Sequence, residues 1–258
     1  MSSETLTSNP SSSPEIQSLA SALRLLETVA EHEGEGMSEL ARNAQMTHNQ
    51  THRILATLET HGYVIRNDAR GYHIGPKLAV LERRAGRYRN LIEAAGNQMD
   101  ELAAQTGESI LLAVRNRLER MVIDSRPSRH SLRVDWPIGS RLPLHVGGLG
   151  VALLAFAPES VQLEVIKAAR NRFTAQTLTD KTALQTELER VRKNKVRISK
   201  DDYATGEFSV AAPILDAKGE AFAAINIAGF TARLTPKLER EYANLVREAA
   251  AQIANTLA

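Results

Sequence analysis

The chain has 258 residues, of which 43% are apolar, 24% are charged and none is cysteine, and its formal net charge is +2. This length suits two domains, and this composition is typical of a folded globular protein and not of a disordered one. The lack of cysteine excludes disulfide bonds, a thiol nucleophile and a cysteine-based zinc site, and it is consistent with the reducing cytoplasm, where we expect the protein. No apolar run approaches the roughly 20 residues that a membrane helix needs, so no membrane partner is expected.

The first 14 residues are rich in Ser, Thr and Pro. They contain neither the basic start nor the apolar core of a secretory signal peptide. We therefore expect a disordered tail over residues 1–14.

Residues 15–76 have the pattern of three helices followed by two short strands. Helical spacing of apolar residues predicts a first helix in "IQSLASALRLLETVAEH", and Ser38 is expected to cap a short second helix, "SELARNA". After the tight turn "QMT", a third helix is predicted to begin at Thr47, which has the capping-box spacing to Gln50. The runs "YVIR" and "YHI" around "NDARG" predict a hairpin. Together these elements predict a winged helix-turn-helix.

The third predicted helix opens with the polar run "THNQTHR". A helix that enters the major groove of DNA needs hydrogen-bonding side chains near its N-terminus, because that end meets the base edges. The alternative is an ordinary capped helix with a solvated face. We predict these DNA-binding residues: Ser38, Thr47, His48, Asn49, Gln50, His52 and Arg53, with Arg66 and Arg70 in the wing.

Charge in this segment gives little support for DNA binding by itself. Through Lys77 the basic residues are outnumbered by acidic ones, so recognition must depend on where the cations lie. We therefore expect few phosphate contacts per subunit and a moderate dependence of DNA affinity on salt.

The remainder of the chain predicts a linker helix over residues 77–90 and a second domain over 91–258. The basic group of the linker, Arg83, Arg84, Arg87 and Arg89, is better explained by a solvated face or a dimer contact than by DNA. Strand-like runs alternate with helices in the second domain, which predicts an α/β domain with a mixed or antiparallel sheet. Such a layered domain favours a small-molecule pocket over a nucleic-acid surface.

Four blocks of the sequence, in order, resemble the IclR family of bacterial transcription regulators. They are "SLASALRLLETVAE", "SELARNAQMTHNQTHRILATLETHGYVIRNDARGYHIGPKL", "PIGSRLPLHVGGLGVALLAF" and "GEFSVAAPILDAKGEAFAAINIAG". The resemblance covers nearly everything from Ile16 onward. It implies an α+β two-domain protein: an N-terminal winged helix-turn-helix, a linker helix and a C-terminal GAF-like effector domain. It also implies a homodimer or homotetramer that binds double-stranded operator DNA, most often as a repressor, under the control of a small organic acid.

The effector residues depart from the pattern of the family. Gly147 and Gly148 stand where relatives often have Thr and Ala, and a glycine turn that opens a helix suits a carboxylate, although such glycines also serve tight packing alone. Ser199 and Ser209 match the positions of a family acid and a family cysteine, which implies that the carboxylate and the thiol are lost. Glu207 is expected to point away from the pocket. The resemblance thus implies an effector other than the simplest acids, with an aromatic acid as one option. The predicted effector-binding residues are Trp136, Leu144, His145, Gly147, Gly148, Ser199, Ser209 and Asn226.

Enzymatic motifs are weak throughout the chain. "GGLGVAL" lacks the last glycine of a dinucleotide loop, and no nucleophile elbow, P-loop or H-E-x-x-H motif is present. His48 and His52 share a helix face without a third ligand nearby in the sequence. We therefore expect no enzyme, no metal and no cofactor, and keep a small-molecule enzyme with an appended DNA-binding domain as the alternative.

Overall fold

The computed structural model of the chain describes residues 15–67, 71–169 and 171–257. The chain divides into two compact units, one that ends at Gly86 and one that begins at Arg87. The expected tail over 1–14 and the wing residue Arg70 lie outside the described residues. In the part of the chain that is described, no helix is both long enough and apolar enough to cross a bilayer.

The first unit is a winged helix-turn-helix, as predicted. Its elements are α1 (Gln17–Glu31), α2 (Met37–Asn43), α3 (His48–Thr60), β1 (Val64–Arg66), β2 (Tyr72–Ile74) and α4 (Pro76–Ala85). The two strands pair antiparallel, with Val64 opposite Ile74. Leu25, Leu40 and Leu55, one from each of the first three helices, are fully buried in one apolar cluster. This core fixes α3 by its inner face and leaves its outer face in solvent.

The caps of the second and third helices differ in how well the sequence predicts them. Thr47 caps α3, since its Oγ1 atom accepts a hydrogen bond from the Gln50 backbone N–H at 3.3 Å. The cap assigned to Ser38 is wrong, because α2 begins one residue earlier and Gly36 occupies its N-cap position. Ser38 therefore lies exposed in the first turn of α2, where its backbone is already helical.

The predicted linker helix over 77–90 is interrupted. Helix α4 ends at Gly86, whose φ of +42° lies in the left-handed region that favours glycine. A second helix begins at the next residue. The sequence "RRAGRY" conceals this break because helical periodicity continues on both sides of the glycine.

The second unit contains a six-stranded sheet and five helices within its described residues. The elements are α5 (Arg87–Thr106), β3 (Ser109–Asn116), β4 (Glu119–Arg126), β5 (Arg141–Pro143), α6 (Gly147–Ala155), α7 (Glu159–Ala168), α8 (Lys181–Asn194), β6 (Arg197–Lys200), β7 (Glu207–Leu215), β8 (Ala221–Phe230), a short 3-10 helix (Thr231–Arg233) and α9 (Pro236–Leu257). The strand order is β5-β4-β3-β8-β7-β6, and each neighbouring pair is antiparallel. Of the mixed and antiparallel sheets left open by the sequence, the structure has the antiparallel one.

Alternation along the central strands gives the sheet two buried faces. On β3, Ile110 and Leu112 belong to a core with α5 and α9, whereas Leu111 and Ala113 belong to a second core with α6 and α8. Helix α6 is buried at every residue after Gly147, which explains why it is apolar all round. The second face of the sheet, under α6, is where the candidate effector cavity lies.

Candidate DNA-binding surface and candidate effector cavity

The polar start of α3 divides into a buried and an exposed side. Thr51 is fully buried, and its hydroxyl donates to the Thr47 carbonyl oxygen at 3.0 Å. The side chains of His48, Asn49, His52 and Arg53 are exposed. The first two turns of α3 thus present two imidazoles, an amide and a guanidinium to solvent. Side chains of these kinds form hydrogen bonds with base edges and phosphate oxygens.

The other predicted DNA-binding residues occupy different surroundings. Gln50 is tied to α1, because its Nε2 atom donates to the Ser21 hydroxyl at 3.2 Å. Arg66 is exposed at the end of β1, with its guanidinium carbon 5.4 Å from the centre of the Tyr72 ring. These contacts hold α3 against α1 and orient the base of the wing.

A cavity of about 40 Å³ lies between the N-terminus of α6 and the sheet face beneath it. Six of the eight predicted effector residues line it: Trp136, Gly147, Gly148, Ser199, Ser209 and Asn226. They come from a loop, a helix and three strands that are far apart in the sequence. The structure therefore brings most of the predicted set together.

Leu144 and His145 are buried outside the lining of this cavity. Leu144 packs into the core under α6, and the Nε2 atom of His145 lies 3.1 Å from the carbonyl oxygen of Asn171. Burial lowers the pKa of His145, although that hydrogen bond and the charge of Asp202 oppose the change. Leu144 was expected to supply an apolar wall with Trp136, and His145 was expected in the pocket because it adjoins the glycines, but the chain turns between these residues and Gly147.

The two glycines shape the opening of α6. Gly147 has a φ of +71°, and a Cβ atom at Gly148 would collide with the Ser209 side chain. The helix can therefore approach β7 closely only with glycine at this position. Asn226 supports the same corner, since its Nδ2 atom donates to the Ser209 hydroxyl at 2.7 Å and its Oδ1 atom accepts from the Leu111 N–H at 3.2 Å. The Ser209 proton remains available to an oxygen in the cavity.

The inference that the site has lost its carboxylate is wrong. Asp202 lines the cavity beside Ser199, whose hydroxyl donates to Asp202 Oδ2 at 3.1 Å. Arg197 Nη2 lies 3.3 Å from the same oxygen. Burial raises the pKa of Asp202, and the Arg197 charge, Ser199 and the Gly147 N–H oppose this only in part. The pair "DD" after "ISK" was the signal that sequence reasoning passed over.

Three further polar residues of the lining were not predicted: Arg120, Tyr203 and Glu207. Glu207 faces the cavity together with Ser209 because residues two positions apart on a strand share a face, so the opposite orientation expected for it was wrong. Burial raises the pKa of Glu207. Nothing in the local sequence distinguishes Arg120 or Tyr203, because each reaches the cavity only through the pairing of distant strands and loops.

Aromatic rings and the Arg120 guanidinium form one wall of the cavity. The Arg120 guanidinium carbon lies 4.7 Å from the centre of the Trp136 ring. The centre of the Tyr203 ring lies 4.7 Å from the same Trp136 ring centre. Burial lowers the pKa of Arg120 to about 10, which still leaves it charged at neutral pH. The wall therefore presents a desolvated cation to any occupant.

The described residues do not form a recognisable metal-binding site. No group of three or more His, Asp or Glu side chains there is arranged to hold an ion. His48 and His52 remain two exposed side chains on α3.

Comparison with known proteins identifies the family. Residues 18–68 match the IclR helix-turn-helix domain, and residues 85–255 match the bacterial transcriptional regulator IclR C-terminal domain. The HTH-type transcriptional repressor AllR of Klebsiella pneumoniae is 31% identical over 251 residues, which cover 96% of this chain and 92% of that protein.

Solved structures agree in fold. The crystal structure of the Thermotoga maritima IclR is 26% identical, with a TM-score of 0.74 over 94% of this chain and 99% of that one. An IclR homologue of Microbacterium hydrocarbonoxydans, crystallised with 4-hydroxybenzoate, is 24% identical, with a TM-score of 0.76 over 93% of this chain and 98% of that one. The protein is thus a member of the IclR family of bacterial transcriptional regulators, with a DNA-binding winged helix-turn-helix followed by the family's C-terminal domain.

Proposed function

We propose that this protein is a repressor whose operator binding is controlled by a small organic acid held in the cavity under α6. The observation that carries the proposal is the combination of an exposed polar start of α3 with a charged, partly apolar cavity in the second unit. The K. pneumoniae relative is a transcriptional repressor, which supports the sign of regulation.

On DNA, we assign the exposed Asn49 and His48 to base edges, and the exposed Arg53 and Arg66 to phosphates. Arg70 is proposed as a further phosphate contact on the sequence alone. Symmetric oligomers read pseudo-palindromic sites, so we propose a homodimer or homotetramer on an operator with two half-sites. The second unit acts as the sensor, since an effector shifts DNA binding only if its affinity differs between the DNA-bound and free states.

The size of the cavity favours a small aliphatic acid. An engineered protein cavity of about 150 Å³ binds benzene, whereas this one measures about 40 Å³. An aromatic acid therefore requires the Trp136–Tyr203 wall to open. Because a protein of the same fold was crystallised with 4-hydroxybenzoate, aromatic acids belong in the test as well.

Fluorescence anisotropy of the full chain on the DNA upstream of its own gene tests this function, with a scrambled duplex as the control. We expect a clear preference for the native duplex at moderate salt and its release by one class of small acid. Equal affinity for both duplexes, unchanged by every aliphatic and aromatic acid in the panel, would contradict an acid-controlled repressor of this site.

A further inference from the structure

Two buried polar atoms of the cavity residues lack hydrogen-bond partners among the described residues: Arg120 Nη1 and Asp202 Oδ1. Buried polar groups are almost always paired, and an unpaired one destabilises the folded state. One is a donor that carries positive charge, and the other is an acceptor that belongs to a carboxylate. A ligand that satisfies both must offer an anion and a hydrogen-bond donor.

Of the two residues, Arg120 is the one that indicates an anionic group on the ligand. Only 4% of its surface is exposed, and it has no ion-pair partner in the described part of the chain. Its neighbour across the strand pair is Arg115, another cation, which adds repulsion in place of compensation. The Trp136 ring beside it supplies a cation–π contact but no acceptor atom. A desolvated guanidinium without an anion is costly, whereas a carboxylate meets its fork of donors with two parallel bonds.

Asp202 needs a neutral hydrogen-bond donor from the ligand and not a second positive charge. Its Oδ2 atom already receives the Ser199 hydroxyl and the Arg197 guanidinium, and the Gly147 N–H also favours the charged form, so the charge of Asp202 is partly compensated. The Oδ1 atom is left with no partner within the described residues. A hydroxyl group would satisfy it, whereas an ammonium group would also have to lie in the field of Arg120 and Arg197.

We infer that the effector is a small hydroxy carboxylic acid whose carboxylate pairs with Arg120 and whose hydroxyl donates to Asp202 Oδ1. This rests on the proposed function, because it names the chemistry of the acid that the cavity takes. Both unpaired atoms belong to residues around one cavity of about 40 Å³, and the inference places a single molecule of a few heavy atoms between them. Ser209 and Asn226 then face the rest of the molecule as neutral hydrogen-bonding groups, beside Glu207, whose pKa is raised by burial in favour of the neutral form.

A purely structural role for Arg120 makes a different prediction. If the guanidinium serves only to support Trp136 by its cation–π contact, Arg120→Gln should lower the melting temperature of the ligand-free protein. If the Arg120 guanidinium serves to bind an anionic ligand, the same variant removes an unpaired buried charge. The melting temperature of the ligand-free protein should then stay equal to that of wild type or rise. Arg115→Gln is the matched control, since it removes the same charge from the cross-strand neighbour outside the lining of the cavity.

The chain has a single tryptophan, Trp136, and it lies in the cavity wall, so its intrinsic fluorescence reports occupancy. Wild type, Arg120→Gln and Arg115→Gln would be titrated with lactate, propionate, lactamide and alanine, and the affinities checked by calorimetry. We expect wild type to bind lactate at least about tenfold more tightly than the other three, because each lacks one of the two groups or adds a cation. Arg120→Gln should lose about tenfold or more in lactate affinity, and Arg115→Gln should lose little.

The outcomes separate this inference from the function on which it rests. Equal lactate affinity in Arg120→Gln and wild type, or propionate, lactamide or alanine binding as tightly as lactate, would overturn the hydroxy-acid assignment while an acid-sensing repressor stands. Failure of glycolate, lactate and 3-hydroxybutyrate alike to bind wild type would also overturn it. Only if no acid of any class binds or alters operator affinity does the proposed effector control fail as well.

Discussion

At the residue scale, the exposure of each side chain on α3 decides which of its polar groups can meet DNA. Thr51 turns inward and bonds to the backbone, whereas Arg53 has no such constraint and extends into solvent. We therefore expect Arg53 to be the residue of α3 that contacts a phosphate.

Replacing Arg53 by Ala should weaken binding to operator and scrambled duplexes alike, by roughly tenfold, and reduce the salt slope by about one per subunit. Anisotropy across a salt series measures both quantities. Arg24→Ala is the matched control, because Arg24 is exposed on α1 and is not among the predicted contacts. A loss confined to the operator, with specificity relaxed at one base position, would show that Arg53 reads a base instead.

His145 provides a prediction about pH. Burial lowers its pKa below the ordinary 6.5, so the unfolded state binds more protons than the folded state near that pH. Stability contributed by this group is therefore lost as the pH falls through 6.5. Between about pH 7.5 and about pH 5.5, the melting temperature of wild type should fall further than that of His145→Gln. Parallel curves for the two proteins would show that His145 titrates normally.

At the element scale, the start of α6 depends on the absence of a side chain at Gly148. Helix and strand approach so closely there that Gly148→Ala should destabilise the protein by about 1–3 kcal/mol through overpacking, and weaken acid binding in the adjoining cavity. The control is Gly96→Ala in α5, where an added Cβ meets only the Arg126 guanidinium at 4.0 Å. That variant should gain about 0.5–1 kcal/mol from helix propensity. Denaturant unfolding measures the change in stability of both variants. Equal changes for Gly148→Ala and Gly96→Ala would contradict the role assigned to Gly148.

The turn between α2 and α3 has a residue that its conformation does not favour. Gln45 has a φ of +55°, in the left-handed region that costs a residue with a Cβ atom about 1–2 kcal/mol. Gln45→Gly should therefore stabilise the first unit by about 0.5–1 kcal/mol once the greater flexibility of glycine in the unfolded chain is included. Gln45→Ala keeps the Cβ atom and should give no such gain. Thermal melts that rank the two variants in reverse would contradict this account of the turn.

At the scale of the whole molecule, the weak positive charge limits electrostatic attraction to DNA. Arg53 and Arg66 are the exposed cations that we propose for phosphate contact in the described part of the first unit, and Arg70 is proposed as the third on the sequence. A dimer with four to six such contacts should show a slope of log affinity against log salt of roughly −4 to −5. A slope near −10 would require many more contacts than these residues supply.

Much of the fold could be predicted because its signals are local. The inward-facing Leu40 and Leu55, the cap at Thr47 and the paired short runs of the wing are each signalled within a few residues. The errors at Ser38 and Gly86 are also local: a glycine cap and a left-handed break leave the apolar pattern around them unchanged.

The candidate site could be predicted only in part. Gly147, Gly148, Ser209 and Asn226 belong to recognisable blocks of the sequence, and the structure does bring them to one cavity. Arg120 and Tyr203 could not be found, since each enters the site through strand pairing and loop packing between residues far apart in the chain. Leu144 and His145 show the converse, because nearness in sequence to Gly147 did not place them in the lining.

The sequence by itself determined the two-domain α+β plan, the winged helix-turn-helix and the polar start of its third helix, since hydrophobic period, caps and turns act over short stretches of chain. Only the tertiary structure decided what the second domain offers a ligand. The meeting of Arg120 from β4 with Trp136 from a loop and Asp202 after β6 depends on the register of an antiparallel sheet and on the burial it imposes. Burial is also what leaves a guanidinium and a carboxylate oxygen unpaired, and no local pattern encodes it.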